Sequence, residues 1–358
     1  MLQDVLMIAA GFVALVIGAD WLVKGASRLA LSVGITPLIV GLTVVAFGTS
    51  APELAVSVTS ALGGEADLAV GNVVGSNIAN VLLILGVSAL VAPLVVHQQL
   101  VRIDVPIMLG ASVLFYVLAL DGNLNLWDGA LMASSIVGYV IFLVVESRRE
   151  KDPLVLAEYD ELNEDAAKPH SSLSSVFWVL IGMVGLVGGS QLLVTGAVSI
   201  ATALGVSELI IGLTVLAIGT SLPELATSVV AASRGERDIA VGNIVGSNIF
   251  NILSVLGFTS VAAMGNVPVS ADALRVDIPI MLAVTLLCLP MFRSGYEITR
   301  AKGMVFLAAY AWYLIYLVCT VKFTVAAEWM AYLSLSVLIP ALVIGTLALF
   351  IRDLRREA

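Results

Sequence analysis

The sequence predicts an all-α polytopic membrane protein, made of two inverted-topology five-helix repeats plus one extra C-terminal helix. Of its 358 residues, 60% are hydrophobic and only 12% are charged, whereas soluble domains have about 25% charged residues. Apolar blocks of about 20 residues, the length of a helix that crosses a bilayer, follow one another along the chain. No alternation of apolar and polar residues over segments of about ten is present, which excludes a transmembrane β-barrel.

Eleven apolar spans are predicted, and the positive charges orient them. The spans cover residues 4–30, 36–62, 68–92, 103–120, 126–147, 173–203, 208–232, 239–263, 276–292, 301–321 and 329–351. With the N-terminus outside, 15 of the 17 Lys and Arg residues lie on the cytoplasmic side, and only Arg275 and Lys322 lie outside. Because cytoplasmic loops are enriched in Lys and Arg, we expect a multi-pass protein of a plasma (inner) membrane, surrounded by lipid, with a cytoplasmic C-terminus.

An internal repeat defines the domain organisation. Residues 41–54 match residues 212–225 at 11 of 14 positions. Residues 67–80 match residues 238–251 equally well, and both pairs are 171 residues apart. Because each copy contains five spans, an odd number, the second copy enters the membrane from the opposite face, as in many secondary transporters. The predicted domains are the first repeat at 1–147, an acidic cytoplasmic linker at 148–172, the second repeat at 173–321, and an additional helix with a tail at 322–358.

Each repeat carries a polar hexapeptide inside an apolar span, GTSAPE at 48–53 and GTSLPE at 219–224. Pro52 has no N–H, so the carbonyl of Gly48 loses its helical partner, and we expect a helix break with free carbonyls from Ala46 to Gly48. Such carbonyls are tolerated at membrane depth only where they line a cavity or meet an ion. The oxygen-bearing residues grouped with these breaks are Thr49, Ser50, Glu53, Ser76 and Asn80 in the first repeat and Ala217, Thr220, Ser221, Glu224, Ser247 and Asn251 in the second.

These candidate ligands offer almost only oxygen atoms, which favours hard cations such as Ca²⁺ and Na⁺ over zinc or copper. A carboxylate in mid-membrane costs roughly 3 kcal/mol or more. Two facing carboxylates, Glu53 and Glu224, therefore need a divalent cation or two monovalent cations to neutralise them. We expect no enzyme active site, no cofactor and no nucleic-acid partner, only transported ions bound near the membrane midplane.

Other acidic residues of the spans have simpler interpretations. Asp20 and Lys24 are four residues apart, so a local ion pair is expected. Asp104 and Asp277 stand in matched Arg-x-Asp contexts at the entrances of two spans. We interpret them as interfacial caps or pairs.

The two motifs resemble the α-repeat signatures of the cation/calcium exchanger superfamily, and within it those of the prokaryotic sodium/calcium antiporters. In both halves G-T-S-x-P-E is followed by G-N-x-x-G-S-N-I-x-N, at 71–80 and at 242–251. The resemblance covers roughly residues 1–321. It implies a ten-helix core that exchanges cytoplasmic Ca²⁺ for external Na⁺ by alternating access.

The resemblance also implies a role for each candidate ligand. Glu53 and Glu224 would be the central calcium carboxylates, joined by the backbone carbonyls of Thr49 and Thr220. One flanking sodium site would consist of the Ala46 carbonyl, Ser50, Ser76 and Glu224. Its mate would consist of the Ala217 carbonyl, Ser221, Ser247 and Glu53, with Asn80 and Asn251 between the two sites.

Asn251 departs from the family pattern, because some relatives have an aspartate at this position. With asparagine in both halves, the site carries a charge of −2 at most, which one Ca²⁺ or two Na⁺ would balance. Three Na⁺ would leave a net positive charge in a low-dielectric site. Exchange at 2:1, or exchange that involves protons, is therefore an alternative to 3:1. For Asn77 and Asn248, interhelical hydrogen bonding and ion contact are both open.

Three other functions are also considered. A Ca²⁺/H⁺ antiporter would use the two glutamates to take protons instead of Na⁺. A cation channel would use the duplicated oxygen site as a filter, but channel pores usually have rotational symmetry about the membrane normal, and this repeat is inverted. An intramembrane enzyme is disfavoured because the glutamates lack a nucleophile or a His-containing metal motif such as H-E-x-x-H. The sequence does not indicate an oligomeric state.

Overall fold

The computed structural model describes residues 2–64, 66–149, 172–204, 217–322, 324–340 and 344. Most of the predicted linker at 148–172, the first part of the predicted span 208–232, and most of the second half of the predicted span 329–351 lie outside these described residues.

The first repeat consists of helices joined by short irregular turns. The helices are α1 (Leu2–Val33), α2 (Pro37–Val40), α3 (Ala46–Thr49), α4 (Ala51–Leu62), α5 (Ala66–Ala79), α6 (Leu85–Val91), α7 (Val105–Leu118) and α8 (Leu126–Arg149). Wider π-helical turns connect α2 to α3 at Gly41–Val45, connect α5 to α6 at Asn80–Ile84, and precede α7 at Leu100–Asp104; a 3₁₀ turn, Ala119–Asp121, follows α7.

In its described residues, the second repeat has helices that correspond to α1 and to α3 through α8 of the first. Its helices are α9 (Ser172–Ala203), α10 (Ala217–Gly219), α11 (Leu222–Ser233), α12 (Arg237–Phe250), α13 (Gly257–Ala262), α14 (Ile278–Arg293) and α15 (Arg300–Lys322), and α16 (Thr324–Leu333) follows them. π-helical turns at Asn251–Leu256 and Ala273–Asp277 correspond to those at Asn80–Ile84 and Leu100–Asp104, and a further one, Ser334–Leu338, follows α16.

The all-α membrane fold predicted from the sequence is confirmed. Within the described residues, eight helices are long and apolar enough to cross a membrane, and the bent pair of Pro37–Thr49 and Ala51–Leu62 makes a ninth. These nine coincide with nine of the eleven predicted spans, and the other two are those that the described residues cover only in part.

Local sequence explains several helix boundaries. Gly34, with φ of +66°, follows α1, because glycine adopts the left-handed conformation that ends a helix without a steric penalty. Pro52 and Pro223 lie in the first turns of α4 and α11. Proline is tolerated there because the N–H that it lacks would have no helical partner.

Four two-residue strands, which the sequence did not predict, connect the two repeats. β1 (Leu94–Val95) pairs antiparallel with β4 (Glu297–Ile298), and β2 (Asn123–Leu124) pairs antiparallel with β3 (Val267–Pro268). Each pair joins a loop of one repeat to a loop of the other. The repeat relates β1 to β3 and β2 to β4. The pseudo-twofold relation between the repeats therefore maps one strand pair onto the other.

Helices α1 and α9 pack with their backbones in contact along a stripe of glycines. Gly18 of α1 illustrates the closeness, because an added Cβ would lie 2.7 Å from the backbone nitrogen of Leu186. A Cβ on Gly182 would lie 2.6 Å from the backbone nitrogen of Leu22. Small residues allow this approach of membrane helices. Three glycines of the stripe in α1 have counterparts in α9 at the repeat offset of 171 residues. They are Gly11, Gly18 and Gly25 in α1 and Gly182, Gly189 and Gly196 in α9.

One ion-pair cluster connects α1 to the end of α11. The predicted pair of Asp20 and Lys24 is present, with Nζ and Oδ2 2.9 Å apart. Asp20 also pairs with Arg234, which caps the C-terminus of α11. This carboxylate thus connects the α1–α9 pair to the helix that carries Glu224.

We predict that Gly18→Ala destabilises the protein, because the new methyl group has to displace backbone atoms of α9. The expected loss is about 1–3 kcal/mol in the free energy of unfolding, as for other overpacked interiors, measured as a lower melting temperature in detergent. Gly138→Ala in α8 is the matched control, because nothing lies within 4 Å of an added Cβ there. Equal melting temperatures for the two variants would contradict the close packing.

Candidate cation site

Both repeats break a helix directly before a glutamate. α3 ends at Thr49 and α4 begins at Ala51, with Ser50 between them at φ −82° and ψ 3°, and the helix axis bends by 41°. Ser221 has a similar conformation, φ −88° and ψ 7°, before α11. The predicted break is therefore present. It places Glu53 and Glu224 in the first turn of a helix, where the helix dipole stabilises negative charge.

The carbonyl of Ala46 requires a correction. It accepts the backbone N–H of Ser50 at 3.0 Å and the hydroxyl of Thr49 at 3.4 Å. The expectation that this carbonyl is free was wrong, because the helix continues for one more turn before Ser50. A carbonyl oxygen has two lone pairs, so a cation at Ala46 has to share the oxygen with these donors. Ala217, its counterpart, begins α10, and the residues before it lie outside the described part of the chain.

The two glutamates are fully buried and are held by serines of the opposite repeat. Glu53 and Glu224 are both 0% exposed. Ser50 donates to Oε1 of Glu224 at 3.1 Å, and Ser221 donates to Oε1 of Glu53 at 3.3 Å. The two breaks therefore face each other, and each half of the protein supplies a hydrogen bond to the other half's carboxylate.

Threonine and asparagine side chains form a second set of contacts between the repeats. The Thr49 hydroxyl donates to Oδ1 of Asn243 at 3.1 Å and lies 3.4 Å from the hydroxyl of Ser247. The Thr220 hydroxyl donates to Oδ1 of Asn72 at 3.3 Å. We did not predict Asn72 and Asn243 from the sequence. The signal that could have found them is their presence in both copies of the G-N-x-x-G-S-N motif.

Several buried polar atoms at this site have no hydrogen-bond partner among the described residues. They are the second carboxylate oxygens of Glu53 and Glu224, the Ser76 hydroxyl, both amide atoms of Asn80, and Oδ1 of Asn251. All of these residues are at most 1% exposed. An unpaired buried polar group costs about 1–3 kcal/mol, and all but one of these atoms are oxygens. The set therefore fits a hard cation.

The asparagines in the middle of the site differ between the repeats. Asn251 donates to Oδ1 of Asn77 at 3.1 Å, and Asn77 donates to the carbonyl of Asn248 at 3.3 Å. The amide of Asn80, the counterpart of Asn251, has no partner among the described residues. Asn77 thus makes interhelical hydrogen bonds.

Asp104 and Asp277 are not helix caps. Neither side chain accepts a hydrogen bond from the first turn of the helix that follows it. Asp104 is 0% exposed and accepts a hydrogen bond from the hydroxyl of Tyr139 at 3.1 Å. Of the two expectations for Asp104, the cap was wrong, whereas a pair is present, formed with Tyr139 of α8.

Two carboxylates are the whole acidic content of the site within the described part of the chain. No group of three or more His, Cys, Asp or Glu that could hold a metal ion is found among the described residues. The site therefore carries at most two negative charges there, which one Ca²⁺ or two Na⁺ would neutralise.

The family profile described as sodium/calcium exchanger protein matches residues 4–145 and 174–319, and so covers both repeats. This chain belongs to the sodium/calcium exchanger family. It is 42% identical over 318 residues to a protein of Alkalimonas amylolytica that bears the name antiporter CaxA, covering 87% of this chain and 98% of that protein. It is 34% identical over 349 residues to the sodium/calcium exchanger MaX1 of Methanosarcina acetivorans, covering 87% and 97%.

A solved structure agrees with the family assignment. The sodium-calcium exchanger NCX_Mj superimposes with a TM-score of 0.73 at 29% identity, over 87% of this chain and 97% of that one. As a member of the sodium/calcium exchanger family, the protein is a multi-pass membrane transporter, a cation/Ca²⁺ antiporter and not an enzyme. The predicted family is confirmed, and the channel and enzyme alternatives are set aside.

We predict that Glu53→Gln stabilises the ion-free protein and removes its stabilisation by Ca²⁺. The substitution removes a buried carboxylate that a bound cation would neutralise. For the unmodified protein, Ca²⁺ at 100 times its Kd is expected to add about 2.7 kcal/mol. Melting temperatures with and without Ca²⁺ test this, with Ser112→Ala as control, because Ser112 is buried but bonds only within α7. A full Ca²⁺ effect in Glu53→Gln would contradict the assignment.

Proposed function

We propose that this antiporter extrudes cytoplasmic Ca²⁺ in exchange for external Na⁺ across a plasma (inner) membrane. The observation that supports this most strongly is the pair of fully buried glutamates. Each accepts a hydrogen bond from the opposite repeat through one oxygen and has no partner among the described residues for the other. A cation bound between the two glutamates would compensate both carboxylates. The Lys and Arg distribution supports an orientation with the N-terminus outside and the C-terminus in the cytoplasm.

In this proposal the central Ca²⁺ binds between Glu53 and Glu224, near the membrane midplane. Ca²⁺ takes six to eight oxygen ligands, which the backbone carbonyls of Thr49 and Thr220 help to complete. The flanking Na⁺ positions are formed by Ser50, Ser76, Glu224 and the Ala46 carbonyl, and by Ser221, Ser247, Glu53 and the Ala217 carbonyl. Asn80 and Asn251 lie between them.

Competition for the same two glutamates couples the two ions. One Ca²⁺ or two Na⁺ neutralise the site, whereas both loads together would leave excess positive charge in a low-dielectric interior. A third Na⁺ would do the same. We therefore propose an exchange of two Na⁺ for one Ca²⁺.

The α1–α9 pair is the element that we propose moves between the two access states. α9 contacts both helix breaks. Its Ser190 donates to the carbonyl of Gly219 at 2.6 Å, and its Met183 packs directly against Gly48. A displacement of the pair would therefore uncover the glutamates from one side of the membrane and cover them from the other.

A Ca²⁺/H⁺ antiporter is the second candidate. The observation that favours it is that the second oxygen of each glutamate, without a partner among the described residues, could carry a proton. Protonation of both glutamates would neutralise the site as completely as two Na⁺.

Calcium flux in everted vesicles distinguishes the two candidates. We expect an outward Na⁺ gradient at fixed pH to drive Ca²⁺ movement, and a pH gradient without Na⁺ to have no effect. Glu224→Gln is expected to lower the Na⁺-driven flux at least about 100-fold, because loss of one partner of a buried charged contact costs about 3–5 kcal/mol and each 1.4 kcal/mol is tenfold, while Ser112→Ala retains it. Ca²⁺ flux driven by pH alone would support the H⁺ antiporter instead.

We also predict that the exchange is electroneutral. For 2:1 exchange, the final Ca²⁺ gradient across a liposome is independent of the membrane potential. For 3:1 exchange, one net charge moves per cycle, which changes the driving force by about 2.3 kcal/mol per 100 mV, or about 50-fold in the Ca²⁺ gradient. Potentials set with K⁺ and valinomycin provide the measurement. A gradient that follows the potential would overturn the 2:1 ratio.

A further inference from the structure

Two asparagine side chains outside the proposed ligand set connect the repeats beside the cation site. Asn243 lies on α12 and is 0% exposed. Its Nδ2 donates to the hydroxyl of Ser228 at 3.0 Å and to the backbone carbonyl of Glu224 at 3.5 Å. Its Oδ1 accepts the hydroxyl of Thr49 at 3.1 Å. This one amide therefore joins two helices of its own repeat to the helix break of the other repeat.

Asn72 makes the same three contacts in the other half. Its Nδ2 donates to the hydroxyl of Ser57 at 3.1 Å and to the carbonyl of Glu53 at 3.4 Å. Its Oδ1 accepts the hydroxyl of Thr220 at 3.3 Å. The two amides occupy equivalent positions and have matched partners. Chance packing of side chains does not explain such a match.

The chemistry of these contacts requires an amide. Each position needs a donor toward the glutamate's own helix and an acceptor toward the opposite threonine, and the asparagine side chain carries both. Both ends of each amide are used within the protein, and neither asparagine belongs to the ligand set proposed above. Their effect on a cation has to pass through the residues that they hold.

We propose that Asn72 and Asn243 are positioning residues that set the register of the two repeats at the cation site. Each holds the threonine of the opposite helix break and the glutamate turn of its own repeat, so that the Thr carbonyls and the carboxylates face the same cation. This inference rests on the proposed function, because it takes Thr49, Thr220, Glu53 and Glu224 as the ligands of Ca²⁺.

Double-mutant cycles on the full-length protein test this inference. The measured quantity is the Kd for Ca²⁺ by isothermal titration in Na⁺-free detergent solution. We expect Asn243→Ala and Thr49→Val each to raise the Kd roughly tenfold, about 1.4 kcal/mol. Because Asn243→Ala already removes the hydrogen bond that Thr49→Val removes, the double variant is expected to be at most about twofold worse than Asn243→Ala alone.

Thr220→Val provides the matched control, because Thr220 bonds to Asn72 and not to Asn243. Combined with Asn243→Ala, it is expected to multiply the two losses to roughly 100-fold, since residues without a shared partner contribute additively in free energy. The mirrored cycle of Asn72→Ala with Thr220→Val repeats the test in the other half. It also replaces the first cycle if Asn243→Ala does not fold.

The outcomes separate this inference from the proposed function. An unchanged Kd in Asn243→Ala with a lower melting temperature would show that the amide only stabilises the fold. Losses that multiply equally with Thr49→Val and with Thr220→Val would show that the amide does not act through Thr49. Either result overturns the positioning role while the proposed function stands. A wild-type protein that binds neither Ca²⁺ nor Na⁺ overturns both.

Discussion

The burial of two carboxylates at the centre of a membrane protein is the constraint on which the rest of this structure depends. Glu53 and Glu224 are completely removed from solvent, and an ionised group in such surroundings is stable only when other charges or dipoles compensate it. The protein compensates each one with a helix N-terminus beneath it and a serine from the opposite repeat, while the second oxygen has no partner among the described residues. The breaks, the prolines and the crossed contacts all follow from this requirement.

The inverted repeat explains how one short motif builds a complete site. Each copy alone supplies one carboxylate and the donors for the other copy's carboxylate, so neither half is satisfied without its partner. The symmetry is not complete, however. Ser190 of α9 donates to the carbonyl of Gly219, whereas its counterpart in α1 is Ala19, which has no hydroxyl. Asn251 has a side-chain partner in Asn77, whereas the amide of Asn80 has none among the described residues. At these positions the surroundings of the two helix breaks therefore differ.

Much of the fold and part of the site could be predicted because membrane helices leave strong local signals. Apolar length defines nine spans correctly, and Pro52 and Pro223 mark the breaks because proline lacks a donor at a known place. The Ala46 carbonyl was predicted wrongly because the position of the break within one helical turn depends on Ser50, whose conformation no local rule specifies. For Asp104 a cap and a pair were both expected, because the sequence does not reveal that Tyr139 is its partner. The strand pairs were missed because two residues are too few for a periodic pattern.

The sequence by itself determined the membrane class, the repeat, the broken helices and the oxygen-only chemistry, since each is a property of composition or of residues close together in the chain. Only the tertiary structure decided which side chains meet. The bonds from Ser50 to Glu224 and from Thr49 to Asn243 join residues 174 and 194 positions apart. Such partners depend on how two inverted bundles dock. That docking follows from the glycine contact of α1 with α9 and from packing across the whole interface, which no single segment specifies.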